Sequence, residues 1–379
     1  MLAQTPSLWL ILIAFVCMLG PLVFFHELGH YLVARWFKVP AETFSIGFGR
    51  EIVGWTDRQG TRWKVGWLPL GGYVKFAGDM NPASTPSDEW LNLPAEERAR
   101  TFQAKKLWQR FLIVLAGPAT NFLFAIVAFM IIFGIYGTPS DRASIGVVDA
   151  GSVAQAAGFR PGDEIVEVNG SRIDTFADLS TYIALRPNEP MDFRVLRAGG
   201  EVRLHATPRQ VTDSDRFGNQ ARIGRLGVKP GGPIQFSRLP FYELPGAAVR
   251  QTVGTVQTML TALGQVISGR RSLSELGGPL KIAQVSGQQA SLGWLNFFWF
   301  MTVVSINLGF INLLPIPLLD GGHLLFYVIE GVRRKPLRPE AQEWAFRTGL
   351  AVLLALMIFV TFNDLASFGL FEKLGGLIG

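Results

Sequence analysis

The sequence predicts a polytopic α-helical membrane protein with four transmembrane helices and a soluble α+β segment inserted between the second and third. Three observations carry that prediction. The chain contains four long apolar stretches. Its charge is low: of 379 residues, 17% are charged and 49% hydrophobic, where soluble domains carry about 25% charge. Between the second and third stretches the pattern changes to short β-like runs broken by turn residues.

Residues 8–25 carry no charge, and the apolar run continues through His26, Glu27 and His30 to Ala34. Residues 111–136 are uncharged, as are 292–319, a run that ends at Asp320. The fourth stretch, 348–362, is shorter, with Arg347 able to snorkel at its start. Crossing the hydrocarbon core takes about 20 helical residues. No Lys or Arg precedes the first run, and the first one met is Arg35, so that run reads as a span and not as a cleaved signal.

The net charge of +6 and the pI near 9.6 are spread over loops with no basic stripe, which excludes nucleic acid as a partner. Those charges set orientation instead. Ten Lys and Arg residues lie between Trp36 and Trp108, and Arg333, Arg334, Lys335 and Arg338 follow the third span. Both loops read as cytoplasmic, leaving the 137–291 segment outside. Cys17 is the lone cysteine, so an internal disulfide is impossible. Within the outer segment, Val249, Val253, Val256, Leu260, Leu263 and Ile267 recur at helical spacing and predict an amphipathic surface helix over 245–268.

Residues 142–209 form the inserted domain, with β-like runs at 145–148, 164–168 and 192–196 and a helix over 177–185. The stretch GSVAQAAGFRPGDEIVEVNG, Gly151 to Gly170, closely resembles a bacterial PDZ domain. That resemblance implies strand addition of an extended peptide or C-terminus, and it matches Gly146 and Val147, within Ile145-Gly146-Val147-Val148, to the receiving loop. The expected organisation is therefore an N-terminal membrane part (1–136), a PDZ domain (142–209), a connector holding the amphipathic helix (210–291) and a C-terminal membrane part (292–379).

His26-Glu27-Leu28-Gly29-His30 carries the chemistry. Residues four apart share one helix face, so both imidazoles can bind one zinc ion, with Glu27 beside them as general base. Such residues inside an apolar span are costly unless paired or functional; the plainer role would be polar helix packing. A catalytic zinc takes three protein ligands and an open position. His205 lies in the outer domain, and His323 lies beyond the acidic candidate and suits a supporting role. Among the carboxylates near the spans, depth selects Asp320. His26 lies about 14 Å from Arg35 along the helix, towards the cytoplasmic side, where the third span also ends. Asp364 falls on the outer side, and Glu330 lies closer to the aqueous loop.

Asn312-Leu-Leu-Pro-Ile-Pro-Leu-Leu-Asp-Gly321 resembles the N-x-x-P-x-P-x-x-D-G signature of site-2 proteases. With the HELGH motif and the PDZ-like insertion, the chain resembles the bacterial regulator-of-sigma-E protease branch over nearly its whole length. The resemblance implies Zn2+ held by His26, His30 and Asp320, Glu27 as the catalytic residue, and Asn312 bonding the substrate backbone. It also implies an inner-membrane enzyme with its active site towards the cytoplasm and its PDZ domain in the periplasm. One departure stands out: a single PDZ-like segment is legible where the best-known members carry two. The Gly- and aromatic-rich stretch 43–76, turning at Asp57-Arg-Gln-Gly60, matches the family's membrane-associated β-hairpin, an edge that could hold an extended substrate. Ala116-Gly-Pro-Ala-Thr-Asn121 also resembles the family, and Gly117 reads as a small residue for close helix packing.

The expected function is an intramembrane zinc metalloendopeptidase. It would perform regulated intramembrane proteolysis on single-span membrane proteins such as anti-sigma factors or signal-peptide remnants. A catalytically silent membrane PDZ scaffold with a structural metal site is the alternative, against which Glu27 argues. A metal transporter is disfavoured by the single ligand cluster.

Overall fold

In a computed structural model, residues 6–78, 94–139, 142–214, 220–231, 236–270 and 277–367 are described. The main helices are α1 (Leu8–Trp36), α2 (Leu107–Tyr136), α3 (Phe176–Ala184), α4 (Leu244–Ile267), α5 (Pro279–Ser291), α6 (Trp294–Leu313), α7 (Asp320–Arg333) and α8 (Pro339–Ser367). The main strands are β1 (Ala41–Thr56), β2 (Arg62–Phe76), β3 (Ile145–Val148), β4 (Glu164–Val168), β5 (Met191–Arg197), β6 (Gly200–Ala206), β7 (Arg209–Ser214), β8 (Gln220–Arg225) and β9 (Val228–Pro230). Among the described residues, α1, α2, α6 and the Glu340–Ala366 part of α8 are long and apolar enough to cross a membrane. Their outward faces carry large apolar side chains such as Leu12, Leu123, Val127, Leu354 and Ile358, as a lipid solvent requires. Cys17 also lies on an exposed face of α1. The chain is a polytopic helical membrane protein. It divides into two compact units, one centred on residues 130–244 and the other formed by 6–129 with 245–379.

The 130–244 unit is β-rich. Antiparallel β4, β5 and β6 form its main sheet, and β5 shows the expected alternation, with Met191, Phe193 and Val195 buried. Helix α3 opens with a reciprocal capping box between Thr175 and Asp178 and closes the core through Leu179 and Ile183. Asp163 is buried and receives two hydrogen bonds from Arg197, at 2.7 and 2.8 Å. The sequence pattern places the PDZ-like segment at 142–209, and residues beyond 209 also join this unit. Leu226 belongs to the same buried cluster, and β9 pairs antiparallel with β3. The reason is that β3 needs a ladder partner, which the later segment supplies.

In the membrane unit, α1 and α2 approach closely through small residues: a Cβ on Gly29 would lie 2.4 Å from the Ala116 carbonyl oxygen. The β1–β2 hairpin turns at Asp57, whose carboxylate accepts from the Gln59 and Thr61 N–H groups and from Trp63 Nε1. Its register is compound. Residues 53–56 oppose 62–65 and residues 41–46 oppose 72–76, with numbers running in opposite senses. In addition Thr43, Phe44, Ser45 and Ile46 face Arg62, Trp63, Lys64 and Val65, with both numbers rising together. The first half of β1 is thus flanked on both sides, and among the described residues the 72–76 segment forms an outer edge.

One feature differs from the sequence expectation. Helix α5 was not predicted, because its sequence PLKIAQVSGQQAS has no apolar stripe. It forms by packing on α1, where Gly287 meets Ile11, and by capping from Asp364, which accepts from the Gly278 and Lys281 N–H groups at 3.0 Å. The third apolar run is broken at its prolines: α6 ends at Leu313, and Asp320 opens α7. Pro315 and Pro317 cannot sustain the ladder, and Leu318 adopts a left-handed φ of 80°. Helix α4 forms close to its predicted bounds, with Ala248 and Thr252 buried while Val249, Val253, Leu260 and Ile267 are exposed.

Candidate metal centre

His26 and His30 lie one turn apart on α1, so both rings leave the same face. Their Nε2 atoms are 3.3 Å apart. Asp320 Oδ2 lies 3.2 Å from His26 Nε2 and 3.6 Å from His30 Nε2. Three electron-pair donors therefore converge, each on a side chain no more than 19% exposed. Asp320 Oδ2 is buried and makes no hydrogen bond. The spacing suits a cation: ligands about 2.0–2.1 Å from a tetrahedral zinc stand about 3.3–3.4 Å apart. Among the described residues this is the one group of three His, Cys, Asp or Glu side chains able to hold a metal.

Each of the three candidate ligands is held from behind. His30 Nδ1 bonds the Ile113 carbonyl of α2 at 2.9 Å, which fixes that nitrogen as the donor and leaves Nε2 free. The ring fits because residue 117 is glycine: a Cβ there would fall 2.2 Å from His30 Nε2. His26 Nδ1 meets the Asn121 side-chain amide at 3.0 Å. Asp320 is aimed by the turn before it, where Gly321 and Gly322 lie against the chain. A Cβ on either would stand 2.2 Å from the Leu314 or 2.5 Å from the Ile316 carbonyl oxygen. Glu27 is buried between the two histidines in sequence and faces the sheet edge: a Cβ on Gly72 would be 3.0 Å from its Cγ.

Residues 14–356 match the profile of peptidase family M50. The chain belongs to peptidase family M50. Among relatives named as zinc metalloproteases, it is 41% identical to Atu1380 of Agrobacterium fabrum over 370 residues, covering 97% of this chain and 98% of the relative. It is 43% identical to R01501 of Rhizobium meliloti over 355 residues, covering 93% and 95%. It is also 39% identical to the metalloprotease MmpA of Caulobacter vibrioides over 393 residues, covering 97% and 98%. This M50 peptidase is a membrane zinc metalloprotease, and the three converging donors fit the metal that its family uses.

The other carboxylates near the spans of this M50 chain are otherwise engaged. Glu330 accepts from the Leu337 N–H at 2.9 Å and pairs with Arg110 at 3.6 Å, and Asp364 caps α5. The His323 ring lies tilted against the Phe346 ring, 5.0 Å between centroids, and exposed His205 pairs with Asp192 in the β-rich unit. Asn312 sits half-buried in the last turn of α6. Gly146 and Val147 do not lie in an open loop. They belong to β3, which β9 covers along one edge. On its other edge Ile145 bonds Asp163 and Gly162 at 2.8 and 2.7 Å. Two residues at the site escaped the sequence reading in this role: Gly117, read as helix packing, and Asn121. The only signal was their place in the AGPATN run, since nothing local to α2 says which ring it faces.

Proposed function

We propose that this M50 peptidase is an intramembrane endopeptidase in which His26, His30 and Asp320 hold the zinc ion and Glu27 is the catalytic base. The observation that carries this is the convergence of His26 Nε2, His30 Nε2 and Asp320 Oδ2 within 3.6 Å, beside a buried glutamate that a purely structural metal site would not need. Zinc bound there supplies Lewis-acid polarisation of a carbonyl and lowers the pKa of a bound water to about 7. Glu27 accepts the proton of the attacking water and passes it to the leaving amine. Asn312, whose side chain makes no hydrogen bond among the described residues, offers its amide to the substrate backbone.

A substrate helix must unwind before its carbonyls are open to attack. The 72–76 edge, which passes beside Glu27, is suited to hold the unwound segment by strand addition. The substrates on this reading are single-span membrane proteins, anti-sigma factors or signal-peptide remnants, cut in regulated intramembrane proteolysis at the bacterial inner membrane. The β-rich unit reads as a periplasmic PDZ domain. Strand β3 pairs with β9 along one edge, and Gly146 and the exposed Val147 are the residues that receive the peptide on this reading.

The test compares wild type and Glu27→Gln on a reporter single-span protein in detergent, with zinc content measured in parallel. The variant is expected to keep its zinc and lose cleavage. Retained turnover would overturn the role of Glu27, and turnover in zinc-free protein would overturn the metal site.

A further inference from the structure

Asn121 is fully buried on α2 and braced from α6. Its backbone carbonyl accepts from Ser305 Oγ at 2.9 Å, and Gly309 leaves room for its Cβ, since a methyl carbon there would be 3.3 Å away. Its side chain makes one hydrogen bond among the described residues, to His26 Nδ1 at 3.0 Å, and its Oδ1 is buried without a partner. The amide is thus dedicated to His26.

The coordinates place Nδ2 towards His26 Nδ1, but the two ends of an amide have nearly the same shape, and the hydrogen-bond partner decides between them. Either orientation leaves one end of the amide unpaired, so the histidine decides. A neutral imidazole carries one ring proton. If Asn121 donated to Nδ1, the proton would sit on Nε2, the atom that faces His30 Nε2 and Asp320 Oδ2. No lone pair would then point into the site. If Asn121 Oδ1 accepts, the proton sits on Nδ1 and the Nε2 lone pair points inward. His30 already has this arrangement through the Ile113 carbonyl.

We propose that Asn121 is a positioning residue whose amide oxygen accepts the Nδ1–H of His26 and keeps the Nε2 lone pair of that ring directed at His30 and Asp320. It completes a symmetric backing in which α2 supplies one acceptor to each α1 histidine, from residues 113 and 121. The inference rests on the reading of His26, His30 and Asp320 as the zinc ligands. It concerns only what orients one of them.

The test measures zinc dissociation constants of the full-length protein in detergent, by competition with a chromophoric chelator, for wild type, Asn121→Leu, Asn121→Asp and His26→Ala. Loss of a partner of this kind costs about 10–100-fold in metal affinity. Asn121→Leu is expected to weaken zinc by that factor. Asn121→Asp, whose carboxylate accepts the same proton, is expected to bind zinc at least as tightly as wild type. A leucine variant with wild-type affinity overturns the proposal, as does an aspartate variant that is as weak as leucine. If the leucine variant does not fold, the aspartate comparison alone decides: equal or tighter binding supports acceptance by residue 121, and weaker binding overturns it. Wild-type zinc affinity in His26→Ala would instead overturn the ligand assignment, independently of Asn121.

Discussion

Gly117→Ala adds a single methyl group at the place where α2 faces the metal site. That carbon would stand 2.2 Å from His30 Nε2, 2.5 Å from Cε1 and 2.8 Å from Cδ2. Non-bonded heavy atoms settle about 3.5 Å apart, so ring and helix must separate by about 1.3 Å. Metal–ligand distances tolerate only about 0.2 Å. His30 also cannot retreat freely, because its Nδ1 is tied to the Ile113 carbonyl one turn earlier on the same helix. It is therefore displaced from the ligand set, and zinc affinity is expected to fall at least about 100-fold, beyond the loss of an outer hydrogen bond. The helix itself gains, since alanine is favoured over glycine by about 1 kcal/mol, so a collapse of α2 does not account for the loss. Chelator competition on the detergent-purified variant gives the affinity, and circular dichroism checks the helices. Zinc binding within about twofold of wild type would refute the claim that residue 117 is glycine for the sake of His30.

Four further outcomes are expected. Arg197→Met strands the buried Asp163 carboxylate and should destabilise the β-rich unit by about 3–5 kcal/mol, read by hydrogen exchange. In the wild type, burial alone would raise the Asp163 pKa, but its hydrogen bonds from Arg197 and the Arg160 N–H outweigh burial and hold it below the ordinary value. That stabilisation is full above the unfolded carboxylate pKa of about 3.9 and is lost as pH falls through the lower folded value. Unfolding scans at neutral and strongly acid pH should show this loss in wild type and little of it in Arg197→Met. Asp364→Ala removes the acceptor for the Gly278 and Lys281 N–H groups and should cost about 1–2 kcal/mol, lowering Tm while zinc affinity stays unchanged. Chelation should abolish cleavage, and added zinc should restore it in wild type but not in Glu27→Gln.

The sequence by itself determined what depends on neighbours along the chain. Charge-free runs announce spans because lipid cannot satisfy polar groups. His26 and His30 can be paired on paper because the helical repeat sets i and i+4 on one face. Asp320 was legible as their partner because a depth argument places it near the same level and its segment resembles a family signature, although its position at the start of α7, after a turn, was not. The tertiary structure decided what depends on a second surface. Helix α5 has no stripe of its own and exists because α1 and Asp364 support it. The pairing of β3 with β9 was not legible, because β9 lies some eighty residues later. The roles of Gly117 and Asn121 follow only once α2 lies against α1, since a glycine or an amide carries no record of the ring it will meet.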